Sequence, residues 1–184
     1  MKKVLGVLGE NGAGKDTLCN FFKKHLPSVE VLKFSYPLSE ALEVFLDRVA
    51  RDDQQWLAQN LRERYGKDII AKGVEKRVDQ SEKKIVLLNG VRVWDDYLLL
   101  KRNEGTLIYI TAKKETRWKR LRERGEKKDD RVSFEEFLKK EDYPTEREIP
   151  KIGKEAHFFI ENKGSFDDLE EEVLKIIKKI NEEG

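Results

Sequence analysis

The sequence predicts an α/β fold of three layers, built on a five-stranded parallel sheet. Three observations carry that prediction. Five short apolar runs recur along the chain, bounded by glycine or polar residues. Amphipathic stretches of helical period separate them. The first run leads straight into a glycine-rich loop and then a helix.

Val4–Leu8 has the length of a buried parallel strand. Asp16 to Leu26 reads as a helix, with Leu18, Phe21, Phe22 and Leu26 on one face and Pro27 ending it. Val29–Phe34 is the second strand. From Ser39 to Gln80 the pattern is helical throughout. Leu42, Phe45, Leu46 and Val49 form one stripe, and Trp56, Leu57 and Leu61 a second. Ile69, Ile70, Val74 and Val78 form a third, with Gly66 breaking the second from the third. Ile85–Leu88 is the third strand. Trp94–Arg102 is a short helix closed by Asn103-Glu104-Gly105. Leu107–Thr111 is the fourth strand. Glu115–Arg124 is a charged helix, and Gly125–Asp130 a polar linker. Ser133 followed by Glu136 is a capping-box pattern that starts another helix. His157–Ile160 is the fifth strand. Ser165 then caps a long amphipathic helix through Leu169, Val173, Ile176, Ile177 and Ile180.

Composition narrows the function. A chain of 184 residues suits one domain around a single core. It has 38 basic and 36 acidic residues, a formal charge of +2, which argues against a nucleic-acid partner. Val4–Leu8 is too short for a signal-peptide core or a membrane span. Cys19 is the lone cysteine and makes no internal disulfide, which suits a reducing compartment. The expectation is a soluble cytoplasmic protein without a nucleic-acid or membrane partner, acting as a monomer or a homodimer. His25 and His157 lack further ligands at metal spacing and read as structural.

The most specific signal is Gly9-Glu10-Asn11-Gly12-Ala13-Gly14-Lys15-Asp16-Thr17. Its glycines let the backbone curl so that successive N–H groups point inward. Those donors and the following helix N-terminus make a polyphosphate site. Lys15 reaches for the β- and γ-phosphates. Gly9, Asn11, Gly12, Ala13, Gly14, Lys15, Asp16 and Thr17 are therefore the candidate residues for binding ATP with Mg²⁺. Asp16 stands where the general motif has Ser or Thr. It either helps to hold Mg²⁺ or its waters, or complements the positive end of the helix.

The G-K-x-T form of this loop resembles adenylate kinases. Its G-K-D-T form, Lys15 with Asp16 and Thr17, resembles deoxynucleoside monophosphate kinases of the phage type and their cellular relatives. The likeness to nucleoside monophosphate kinases, with dephospho-CoA kinases as a related group, runs over nearly the whole chain. It implies one P-loop NTPase domain with its core at 1–38, 81–114 and 149–184. It also implies a helical acceptor-binding insert at 39–80 and a lid region at 115–148. Phe34-Ser35-Tyr36-Pro37-Leu38 resembles the start of the acceptor-binding part, and Leu61 to Asp68 another piece of it. Thr17 would contact the α-phosphate and share the metal site with Asp16. Asn89-Gly90-Val91-Arg92 sits where such kinases carry an acid, a glycine and an acceptor-phosphate arginine. Asn89 departs from that pattern by lacking the charge. Asn162 and Lys163 fall in the loop that borders the adenine.

Arg92 also has a physical warrant. It lies just past a strand's carboxyl end, where ligands bind in this fold class, and arginine grips phosphate bidentately. Arg117, Arg120 and Arg124 share one helical face, where their mutual repulsion asks for an anion or for local acids such as Glu115 and Glu123. By resemblance, Arg120 packs on the ATP base and Arg124 meets the transferring phosphate, with Arg131 beyond the linker as a further lid residue. The catalytic candidates are thus Lys15, Arg92, Arg120, Arg124 and Arg131. The implied activity is ATP-dependent transfer of the γ-phosphoryl group to a nucleoside or deoxynucleoside monophosphate. One alternative is a dephospho-CoA kinase, whose hydroxyl acceptor would want a base such as Asp16 or Asp47. The other is a nucleotide-binding regulatory protein with little transfer activity.

Overall fold

The computed structural model describes residues 2–125 and 132–182. Strand β1 (Lys3–Leu8) runs through the phosphate loop into helix α1 (Lys15–His25). β2 (Val29–Lys33) follows, then α2 (Tyr36–Glu43), α3 (Arg51–Tyr65) and α4 (Ile69–Gln80). β3 (Ile85–Val91), α5 (Trp94–Arg102), β4 (Thr106–Thr111) and α6 (Lys114–Arg124) come next. The chain closes with α7 (Phe134–Glu141), α8 (Pro144–Ile152), a short 3₁₀ turn, β5 (Phe158–Glu161) and α9 (Phe166–Glu182).

The five strands pair in the order β2-β3-β1-β4-β5, and every pairing is parallel. Because side chains alternate along a strand, β1 feeds both faces. Leu5 and Val7 point into a core with Leu18, Cys19 and Phe22 of α1 and Val173 and Ile177 of α9. Val4 and Leu8 point into the other, with Val74 of α4, Leu99 and Leu100 of α5, and Ile149 and Ile152 of α8. Helices on both faces of an all-parallel sheet make the three expected layers. Burial pushes the Cys19 thiol up to about 12, so it behaves as a core residue. A smaller cluster of Leu38, Ala58 and Ile70 ties α2, α3 and α4 together. No helix of the described residues is long and apolar enough to cross a membrane.

One expectation needs correction, and one helix is additional. Residues 44–50 are not helical, and the stripe of Leu42, Phe45, Leu46 and Val49 does not form a buried face. The Phe45 and Leu46 amides both donate to the Leu42 carbonyl at 2.9 Å, which closes α2 in a turn. Leu42 is buried, whereas Val44 and Phe45 are 75% and 84% exposed. Periodicity found the apolar residues but not the missing layer above them. Helix α8 was not read from the sequence at all. It is short and carries Pro150 internally, which removes a helical hydrogen bond. Pro144 in its first turn was the available start signal.

Leu99 is fully buried between α5 and the sheet. Leu99→Ala should lower stability by about 2–5 kcal/mol in urea unfolding. A loss below about 1 kcal/mol would mean that this face of the sheet is loosely packed.

Candidate active site

All five strands run the same way, so their carboxyl ends gather along one edge. Each contributes to one cluster. The phosphate loop follows β1, Lys33 ends β2, Asn89 and Arg92 mark the end of β3, Ala112 follows β4, and Asn162 follows β5.

The loop itself is tightly confined. Gly12 has φ 79°, and a Cβ there would lie 2.5 Å from the Arg117 carbonyl oxygen. A Cβ on Gly9 would lie 2.2 Å from the Ile110 carbonyl oxygen. Neither neighbour is a flexible side chain, so both positions require glycine. The Asn162 amide donates to the Ala13 carbonyl at 2.8 Å, pinning the loop to the segment after β5. Asn162 thus braces the phosphate loop through its side chain. Lys163 next to it is exposed.

Lys15 lies within the loop, its ammonium donating to the Gly9 and Glu10 carbonyls at 2.7 and 2.9 Å. Burial is the largest influence on it, reinforced by the Arg92 charge, and together they lower its pKa to about 7. Glu146, Asp16 and Glu10 pull the other way. A cation held this far below its usual range gains from an anion that restores its charge. The glycine-rich loop at the N-terminus of α1 and this lysine fit a polyphosphate tail.

Asp16 is largely exposed, and Thr17 beside it is half-buried. The Asp16 Oδ1 atom accepts from the Asn89 amide at 2.7 Å and pairs with the Lys33 ammonium at 3.0 Å. Burial raises the Asp16 pKa, but the Lys33 and Asn89 hydrogen bonds and the Lys33 charge outweigh it and hold the carboxyl low. No group of three acidic, His or Cys ligands able to hold a metal occurs among the described residues. Asp16 and Thr17 are the oxygen-bearing side chains that could face a cation carried chiefly by phosphate and water oxygens.

The arginines divide into distinct roles. Arg92 reaches from the end of β3 to the phosphate loop, donating from Nη2 to Asn11 Oδ1 at 2.8 Å. Its Nη1 pairs with Glu146 of α8. Its backbone N–H donates to Asp96 at 3.0 Å. Asp96 is buried at the start of α5, and that burial lifts its carboxyl to about 6. Arg117 is buried, with a bidentate pair to Glu141 at 2.8 and 2.5 Å and bonds to the Ala112 and Asn11 carbonyls. It is a brace between α7 and the loop, which also accounts for Glu141. Arg120 lies over the loop, 3.4 Å from the Gly12 and Ala13 carbonyls and 3.2 Å from Asn162 Oδ1. Arg124 is exposed at the end of α6. The expected common face of Arg117, Arg120 and Arg124 is therefore split between core, loop and solvent, because Glu141 draws Arg117 inward. Arg131 lies outside the described residues.

Three contributors escaped the sequence reading. Glu146 sits on the unread helix α8. Lys33 ends a strand and carried no motif. Glu10, a variable position of the loop, is buried and accepts from the Tyr109 hydroxyl at 2.7 Å. Only its flanking glycines marked it.

A profile of the AAA domain family matches residues 5–143, which take in the phosphate loop, the Asn89–Arg92 segment and α6. The chain belongs to the AAA domain family. This AAA-domain chain is 25% identical to a UPF0200 protein of Methanothermobacter thermautotrophicus over 98% of its own length and 92% of the relative's. Its fold is shared with shikimate kinase from Bacteroides thetaiotaomicron at TM-score 0.68, with 14% identity and coverage of 97% and 98% of the two chains. Dephospho-CoA kinase from Campylobacter jejuni aligns at TM-score 0.50, with 18% identity over 98% of each chain. The AAA-domain chain thus has the fold of P-loop kinases.

The depressed lysine predicts that nucleotide binding is proton-linked. At pH 8 a group with pKa about 7 is mostly neutral, whereas beside a polyphosphate it regains its ordinary, higher value. Binding of ATP at pH 8 should take up close to one proton, and affinity should weaken as pH rises above about 7. Titration calorimetry in Hepes and in Tris checks this. Lys15→Ala should abolish the uptake, and equal heats in the two buffers for the unaltered protein would contradict it.

Proposed function

We propose that the chain is an ATP-dependent phosphotransferase that passes the γ-phosphoryl group to a nucleoside or deoxynucleoside monophosphate. The observation that carries this reading is the placement of Arg92. Its guanidinium bonds directly to Asn11 of the donor loop at 2.8 Å. An acceptor phosphate gripped by its remaining N–H groups would lie beside the end of a triphosphate held by Lys15. Phosphoryl transfer asks mainly for such positioning and charge stabilisation.

Under this reading Lys15 and the loop amides hold the donor phosphates, and Arg120 covers them from α6. Mg²⁺ would offset phosphate charge, with Asp16 and Thr17 facing it. Residues 39–80 would serve as the acceptor-binding insert and 115–148 as the lid, to which Arg124 and Arg131 belong.

The two acids considered as bases for a hydroxyl acceptor support the monophosphate reading. A hydroxyl acceptor, as in dephospho-CoA kinases, would want a base. Asp16 is held in its weakly basic, ionised form by Lys33 and Asn89, and Asp47 is exposed away from the core. A monophosphate is already ionised near neutral pH and needs no base. One feature favours a regulatory nucleotide-binding protein instead. Asn89 is only 5% exposed and donates to Asp16, so no second carboxylate stands there to support a metal.

Labelled ATP with a panel of nucleoside monophosphates, deoxynucleoside monophosphates and dephospho-CoA separates these outcomes. Transfer to a monophosphate is expected. Arg92→Ala should cut acceptor kcat/KM roughly 10- to 150-fold, the loss of a charge-assisted hydrogen-bond pair, with ATP affinity little changed. Lys15→Ala should weaken ATP itself. Tight nucleotide binding without transfer to any acceptor would favour the regulatory reading.

A further inference from the structure

Arg92 is held in an unusually complete way. Its backbone N–H is tied to Asp96 at 3.0 Å, its Nη2 to Asn11 Oδ1 at 2.8 Å, and its Nη1 to Glu146. A long, flexible side chain thereby enters the site with one orientation. Glu146 is only 7% exposed, and its second oxygen, Oε2, is buried without a hydrogen-bond partner. Burying a carboxylate is costly even when it is paired, so its place asks for a reason beyond stability.

The position of Glu146 is set by the core. It lies three residues before Ile149 and so on the same face of α8, and Ile149 is fully buried against the sheet. The backbone of Glu146 is therefore fixed by the packing of that helix. Asn11 is also where the second braced arginine arrives, since Arg117 Nη1 approaches its backbone carbonyl at 3.4 Å.

We propose that Glu146 is a positioning residue. It presses the Arg92 guanidinium against Asn11, so that the acceptor phosphate is presented in register with the phosphate donor. This rests on the reading of the chain as a phosphotransferase with a monophosphate acceptor. Glu146 touches neither nucleotide and acts through Arg92. Its effect should therefore fall on the acceptor, depend on Arg92, and be restored by a side chain that still accepts a hydrogen bond.

The test compares Glu146→Ala, Glu146→Gln, Arg92→Ala and the Glu146→Ala/Arg92→Ala double variant. Initial rates are measured against acceptor and against ATP, with thermal unfolding alongside. Glu146→Ala should raise acceptor KM about tenfold and leave ATP KM within about twofold. Glu146→Gln should recover most of the loss, because its amide oxygen can still accept from Arg92. If Glu146→Ala does not fold, Glu146→Leu, which keeps the bulk and removes the acceptor oxygens, takes its place in the cycle. The double variant should be no worse than Arg92→Ala alone. Additive losses would overturn the proposal, as would equal rises in both KM values or no change in acceptor kinetics. Should the unaltered protein transfer to no monophosphate, the acceptor reading fails by itself. The same cycle on binding of inorganic phosphate then decides Glu146: a loss in Glu146→Ala that disappears on the Arg92→Ala background upholds its hold on Arg92, and additive losses end it.

Discussion

The site depends on how closely the phosphate loop approaches two other stretches of backbone. At Gly9 the neighbour is the Ile110 carbonyl of β4, and at Gly12 it is the Arg117 carbonyl of α6. These approaches fix the loop against elements that belong to the core. The Asn162 amide adds a third hold through the Ala13 carbonyl. A loop braced from three sides needs little rearrangement to meet a polyphosphate, and preorganised donors are the most effective kind.

That confinement also explains the electrostatics. Lys15 lies inside the braced loop, where lost hydration and the Arg92 charge bring it to about 7. Around it the structure alternates signs: Glu10 beneath the loop, Asp16 with Lys33, Glu146 with Arg92, and Glu141 with Arg117. Most cations of the site are thus committed to a carboxylate in the free protein. Lys15 is satisfied only by main-chain carbonyls, which makes it the group with most to gain from an incoming phosphate.

The strands, the phosphate loop and the place of Arg92 were legible in the sequence because each is written locally. A run such as Val4–Leu8 followed by glycines states both the strand and the turn. Arg92 followed from lying just past a strand end. What stayed hidden depends on contacts between distant residues. Glu146 is 54 positions from Arg92, and Tyr109 is 99 positions from Glu10. Arg117 and Arg120 looked alike on a helical face, and only the position of Glu141 sends one into the core. The apolar run after Leu42 misled for the converse reason. Its spacing promised a buried face, yet among the described residues no layer covers Phe45.

A structure with a dinucleotide polyphosphate that spans donor and acceptor positions tests the central claim most directly. The Lys15 ammonium should leave the Gly9 and Glu10 carbonyls for phosphate oxygens. Arg92, still between Glu146 and Asn11, should meet the phosphates at the acceptor end. A polyphosphate bound elsewhere, with Lys15 still folded onto its own loop, would contradict the account.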